Sequence, residues 1–152
     1  MSRGLRAIIL TGLIVGAMDI TSAFIIAWSR GSTAMRLLQF VASGALGGRA
    51  FAGGTASAAL GLAFHFLIAF SVVTAFCFAR SSLSFVREYA VASGIAYGLV
   101  VYAVMNLIVL PLSAAKTRHA LVPDLIQIAI HMFVIGLATS LLLRRFSGAS
   151  GR

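Results

Sequence analysis

The sequence predicts an all-α integral membrane protein, folded as a bundle of four transmembrane helices. Of its 152 residues, 61% are apolar and only 10% are charged, whereas soluble domains average about 45–50% and about 25%. A soluble chain of this size could not bury so much apolar surface, because a small domain covers only about two thirds of what its unfolded chain exposes. The length suits one transmembrane domain over residues 1–152.

Four stretches reach the roughly 20 mostly apolar residues that a helix needs to cross a bilayer. The predicted helices cover about 7–28, 55–79, 89–110 and 121–143. Trp28 suits the aromatic belt at a membrane interface. The third helix should end before Pro111, which has no N–H to donate to the next hydrogen bond, and Arg144 and Arg145 should close the fourth.

The connection between the first two helices predicts a further, shorter helix over about 34–46, preceded by hydroxyl residues that can cap it. Its residues Arg36, Gln39 and Ser43 share one polar face, with apolar residues on another. This helix is too short to span, and glycines follow it. Because its polar face should seek water, we expect an amphipathic, Gly-rich interfacial segment rather than one that dips into the bilayer and returns.

The chain has 12 Lys and Arg residues and three acidic residues, so its net charge is +9. The basic residues lie between the apolar runs and at the ends of the chain. This placement is typical of headgroup and loop anchors, so we expect the lipid bilayer as a partner and no nucleic acid. In the predicted topology, seven basic residues lie on the side of the termini: Arg3, Arg6, Arg80, Arg87, Arg144, Arg145 and Arg152. Five lie on the opposite side: Arg30, Arg36, Arg49, Lys116 and Arg118. The excess favours cytoplasmic N- and C-termini in a multi-pass plasma-membrane protein.

Asp19 is the most informative residue, because it lies in the middle of the first predicted helix. A carboxylate at that depth is costly unless it is paired, protonated or wetted, and such residues are functional by default. Counting about ten residues from the same surface, about 15 Å, places His65 and His131 at the same level. Asn106 lies somewhat closer to that surface. We therefore predict an intramembrane polar cluster of Asp19, His65, Asn106 and His131.

Three further polar side chains could extend this cluster toward the surface opposite the termini. Asp124 and Gln127 precede His131 on one face of the fourth helix, and Tyr102 precedes Asn106 by one turn. Together they would form a polar path to the middle of the membrane. The competing interpretations are a favourable charge near the helix N-terminus for Asp124 and a packing role for Tyr102.

Two helices carry pairs of glycines with the spacing that lets helix backbones approach closely. These helix-packing candidates are Gly12 and Gly16 on the first helix, and Gly94 and Gly98 on the third.

The residues leave three hypotheses for the cluster. It could handle a proton, an ion or a small polar solute, since imidazole and carboxyl groups change charge with protonation. His65 and His131 could instead be the axial ligands of haem b in a membrane redox subunit. The polar residues could also only hold helices together in a structural or accessory subunit.

The leading hypothesis is a non-enzymatic protein without a cofactor. The sequence has no phosphate-binding loop, no HExxH, no CxxC and no G-x-S-x-G motif. A metal site would need at least three ligands from three helices. Because four short helices enclose little space by themselves, we expect a homo-oligomer or a membrane-protein partner.

A set of short motifs resembles a known family. The motifs are Gly16, Asp19, Leu37-Leu38-Gln39, Ala42-Ser43-Gly44, Gly47, Gly53, Leu60-Gly61-Leu62, His65-Phe66, Asn106 and Pro111-Leu112-Ser113. Over most of the chain they resemble a family of small, uncharacterised four-span bacterial inner-membrane proteins. The resemblance implies that location and topology. It carries over no catalytic or binding residue, because no activity is assigned to the family.

Overall fold

The computed structural model describes residues 2–115 and 120–148, and in this part of the chain it contains helices and turns but no strand. The six helices are α1 Arg3–Ser29, α2 Ala34–Leu46, α3 Gly54–Ser82, α4 Ser84–Glu88, α5 Ala90–Leu112 and α6 Leu121–Phe146. Four of them, α1, α3, α5 and α6, are long and apolar enough to cross a membrane. The predicted all-α membrane bundle is confirmed. Lys116, Arg118 and Arg152 of the orientation prediction lie outside the described residues.

The spanning helices are longer than the apolar runs that predicted them. α1 begins at Arg3 rather than Ala7, and the Ser2 hydroxyl accepts a hydrogen bond from the Leu5 N–H at 3.3 Å. α3 continues to Ser82, and α6 continues to Phe146. A formed helix gains one hydrogen bond for each residue added, so it does not have to stop where the apolar run stops.

α5 and α6 each contain a π-helical segment, Met105–Val109 in α5 and His131–Leu137 in α6. Such wider turns are rare and often occur at functional sites. α5 does not end before Pro111, as the sequence predicted, but continues to Leu112. The π-helical segment changes the hydrogen-bond register just before the proline, where a regular ladder would lose a donor.

The spanning helices form a bundle in which α1 packs against α3 and α6, and α6 packs against α5. Ala7 near the start of α1 and Leu143 near the end of α6 share one buried cluster. The start of α1 and the end of α6 therefore lie at one end of the bundle, which we call the terminal end, and the other is the distal end. In the terminal half α3 and α5 also meet, because the Tyr97 hydroxyl donates to the Val72 carbonyl at 2.7 Å.

α5 and α6 cross at backbone contact distance. A Cβ atom at Gly98 would overlap the carbonyl oxygen of His131, and a Cβ atom at Gly136 would overlap that of Gly94. Ser140 donates a hydrogen bond to the Ala90 carbonyl oxygen across the same interface, at 2.7 Å. Gly94 and Gly98 of α5 thus allow the backbone of α6 to approach closely.

The glycines of α1 have different neighbours. Gly12 faces the ring of Phe70, and Gly16 faces the ring of Phe66, both on α3. Here the missing side chains make room for aromatic rings rather than for a second backbone. The same spacing therefore serves two kinds of helix contact in this bundle.

α2 lies against α3 near the distal end, and part of its polar face is turned inward. Gln39 is 5% exposed and Ser43 is 3% exposed, so the expectation that this face would meet water is wrong for both residues. The Gln39 amide donates to the Gly54 carbonyl at 3.1 Å, and the Ser43 hydroxyl donates to the Phe40 carbonyl at 2.6 Å. Burial is tolerated because the polar groups find partners within the protein.

Thr139→Val is expected to stabilise the bundle. The hydroxyl groups of Thr11 and Thr139 are buried and have no hydrogen-bond partner among the described residues, which costs about 1–3 kcal/mol for each group. Replacing the Thr139 hydroxyl by a methyl group should raise the free energy of unfolding in mixed detergent micelles by about 1 kcal/mol. Ser140→Ala removes a hydroxyl that is bonded, so it should lower that free energy. Similar effects of the two changes would contradict this prediction.

Candidate functional site

A cavity of about 750 Å³ lies between the helices in the distal half of the bundle. All four spanning helices and α2 contribute to its wall, which is mostly apolar. α3 and α5 touch in the terminal half, and residues from the distal half of each helix line the cavity. The volume lies within the range of about 300–1,000 Å³ that is typical of small-molecule sites.

The polar side chains in the wall come from helices that are distant in sequence. They are Asp19 from α1 and Arg30 just after it, His65 from α3, Asn106 from α5 and Ser113 just after it, and Asp124, Gln127 and His131 from α6. The four residues of the predicted cluster therefore line one cavity, as do two of the three predicted path residues. Tyr102 is not in the wall, but its ring packs edge-on against that of His131 at 5.5 Å between centroids.

Asp19 and His65 make a direct polar contact between α1 and α3. His65 Nδ1 lies 3.9 Å from Asp19 Oδ2, and His65 Nε2 lies 2.9 Å from the carbonyl oxygen of Gly16. A carbonyl oxygen can only accept a hydrogen bond, so Nε2 must carry a proton and donate it. Nδ1 is then the ring nitrogen whose protonation can change, and it faces the carboxyl group.

This geometry gives the pair of Asp19 and His65 two charge states. With one proton, on either Nδ1 or the carboxyl group, the pair has no net charge, and without that proton it has the single negative charge of the carboxylate. The two side chains are only 28% and 12% exposed. Because an uncompensated charge is costly within a membrane, loss of the proton favours the arrival of another positive charge.

His131 and Asn106 line the same cavity but bond within their own helices. His131 Nδ1 lies 2.8 Å from the Gln127 carbonyl oxygen, and the Asn106 amide donates to the Tyr102 carbonyl oxygen at 2.9 Å. The first contact makes Nδ1 the protonated nitrogen and leaves Nε2 as the acceptor of the neutral ring.

The residues do not fit haem b ligated by His65 and His131. An axial ligand must present an unprotonated ring nitrogen to the iron, whereas His65 Nε2 donates its proton to the Gly16 carbonyl and Nδ1 faces Asp19. Within the described residues, no group of three or more His, Cys, Asp or Glu side chains could hold a metal ion. The chemistry of the site is therefore derived from the protein side chains that line it.

Sequence reasoning missed the part of the cavity wall that α2 provides. Leu37, Phe40 and Val41 line the cavity, although the segment was expected to lie in the interface. Gly61 is the residue that could have indicated this contact, because its missing side chain lets the Leu38 carbonyl of α2 lie against α3. Amphipathicity alone does not show which helix an amphipathic helix will cover.

Two further features lie at the distal end of the cavity. Arg30, at the end of α1, lines the cavity while remaining exposed. The Ala114 N–H donates to the Gly44 carbonyl oxygen at 2.9 Å, which joins the end of α2 to the chain just after α5. This end of the cavity wall thus contains a charged side chain, and a backbone connection lies close to it.

Comparison with protein-family models, curated proteins and solved structures finds no match to this chain. The resemblance to four-span inner-membrane proteins stays a prediction. The function is therefore inferred from the geometry of the cavity.

Proposed function

We propose that this multi-pass membrane protein binds a small organic cation in the distal cavity, and that binding releases a proton carried by the pair of Asp19 and His65. The observation that carries the proposal is the 3.9 Å contact between His65 Nδ1 and Asp19 Oδ2 in the cavity wall. One exchangeable proton is held there at a place that a solute could reach. A proton and a cation would compete for the same carboxylate.

The charges and surfaces of the cavity support a cation. No Lys or Arg side chain forms an ion pair with Asp19 within the described residues, so a bound cation would replace the charge of the departing proton. Phe40 and Phe64 also line the cavity, and aromatic faces attract cations. The largely apolar wall favours an organic ammonium ion over a strongly hydrated metal ion.

Asp19→Asn tests the proposal, because the amide keeps the size of the side chain but loses its negative charge. We expect tetraethylammonium binding to weaken by at least about 30-fold, as for the loss of one partner of a buried charge pair. In the parent protein its affinity should fall about tenfold for each unit by which the pH decreases, where one proton is exchanged. Isothermal titration calorimetry at several pH values measures both effects.

The matched control is Glu88→Gln, which makes the same charge change at the terminal end, outside the cavity wall. It should leave both the affinity and the pH dependence unchanged. If Asp19→Asn folds and binds tetraethylammonium with the parent's pH dependence, the proposal is wrong. A loss of stability without any change in proton exchange would instead favour the accessory-subunit hypothesis.

We infer the orientation of the protein in its membrane from the excess of basic residues on the side of the termini. The terminal end would face the cytoplasm of a bacterium, and the cavity would open toward the outer side of the plasma membrane. A second copy of the chain or another membrane protein would pack beside it.

A further inference from the structure

Three arginines from different helices converge at the terminal end. Arg80 lies in the last turn of α3, Arg87 in α4 and Arg144 in the last turn of α6. The charge of Arg80 interacts with those of both other residues. In the part of the chain that the structure describes, none of the three forms an ion pair with a carboxylate.

The surrounding contacts fix the Arg80 side chain and the backbone next to Arg87 and Arg144. Arg80 donates a hydrogen bond to the Ser147 hydroxyl at 2.9 Å, and that hydroxyl donates to the Leu143 carbonyl oxygen. Val86 anchors α4, because it is buried in the same core cluster as Leu143. The three side chains therefore extend from a packed part of the fold.

An anion bound between these like charges would be stabilised by all three of them. Guanidinium groups repel each other, and the negative ends of α3 and α6 offset only part of this repulsion. A phosphate group can accept several charge-assisted hydrogen bonds from neighbouring guanidinium groups at once. A phosphate would thus relieve the repulsion and satisfy donors that have no acidic partner in the described residues.

The position of the cluster indicates a lipid as the source of the phosphate. Arg80 and Arg144 lie near the ends of the membrane-spanning helices α3 and α6, and Arg87 lies in the short helix α4 that follows α3. Basic residues at such positions are well placed to meet lipid headgroups. Phe78, Leu83 and Phe85 are exposed beside them, on a surface that acyl chains can cover. We propose that Arg80, Arg87 and Arg144 form a binding site for the headgroup phosphate of an anionic phospholipid.

The double variant Arg87→Gln/Arg144→Gln tests this site and leaves the Arg80–Ser147 hydrogen bond intact. Native mass spectrometry in neutral detergent would measure binding of phosphatidylglycerol, with phosphatidylcholine as the uncharged comparison. We expect at least about tenfold weaker phosphatidylglycerol binding, given the contribution of each basic residue at a membrane surface. If the double variant does not fold, Arg87→Gln alone should weaken binding about fivefold.

Arg145→Gln is the matched control, because it removes one charge from the exposed residue next to Arg144. Its phosphatidylglycerol binding should stay within about twofold of the parent's, because successive helix residues point about 100° apart and Arg145 is therefore directed away from the cluster. An equal loss in this control, or equal binding of phosphatidylcholine, would overturn the site in favour of general surface charge. Displacement of the lipid by an equal concentration of inorganic phosphate would overturn the lipid assignment in favour of a free phosphate site.

Discussion

Gly98→Ala is expected to prevent stable folding of the bundle. The new methyl group would overlap the carbonyl oxygen of His131 and would lie 2.6 Å from Met132 Cα. Both neighbours are backbone atoms of α6, so neither can rotate away as a side chain can. α5 and α6 would have to separate along their interface, at a cost above about 3 kcal/mol.

The comparison that isolates this effect is Gly12→Ala. The neighbour of Gly12 is the ring of Phe70, which can change rotamer, so the same added methyl group should cost about 1–2 kcal/mol. Ala96→Val adds methyl groups on an exposed surface of α5 and should change little. The free energy of unfolding in mixed detergent micelles ranks the three variants. Similar losses for Gly98→Ala and Gly12→Ala would show that the backbone contact does not govern stability.

Gly61→Val is expected to release α2 from α3 while leaving the spanning helices assembled. Its side chain would overlap the Leu38 carbonyl oxygen and crowd the Ala42 nitrogen, which a single Cβ atom would already approach to 3.2 Å. Because α2 forms part of the cavity wall, its release should also open the proposed cation site. Folding should survive, since the contacts of α1 with α6 and of α5 with α6 do not involve α2.

Cysteine labelling can detect this release without relying on a ligand. Ser43→Cys places a thiol at a position that is buried beneath α2, in a Cys77→Ala background that removes the native thiol. Adding Gly61→Val should speed its reaction with a water-soluble maleimide by about tenfold or more, as local opening becomes easier. Gly48→Val is the control, because a Cβ atom there meets nothing within 4 Å. Unchanged labelling with Gly61→Val would mean that α2 does not depend on this contact.

Composition and length were sufficient to predict the four spanning helices, because an apolar run of sufficient length has few other stable arrangements in lipid. The common level of Asp19 and His65 could also be predicted, since the rise per residue of a helix is fixed. The rotation of each helix about its axis could not be predicted. That rotation depends on packing, such as the contacts of Gly12 with Phe70 and of Gly16 with Phe66.

The inward polar face of α2 shows a second limit of sequence reasoning. Gln39 looked suited to water, yet its partner is the Gly54 carbonyl oxygen, 15 residues further along the chain. Periodicity identifies the polar side of a helix, but not whether a free carbonyl group will lie opposite it. The same limit applies to the glycine pairs of α1 and α5. Their spacing predicts a close helix contact, but not whether an aromatic ring or a helix backbone will lie against the glycines.

The π-helical segment that begins at His131 has a consequence for motion. It contains one residue more than a regular helix needs over the same length, so a shift of its position along α6 would require the exchange of backbone hydrogen bonds. Each such exchange turns the residues it passes by about 100° around the helix axis. The close backbone contacts of His131 with Gly98 and of Gly136 with Gly94 oppose this rotation, so packing against α5 keeps His131 in the cavity wall.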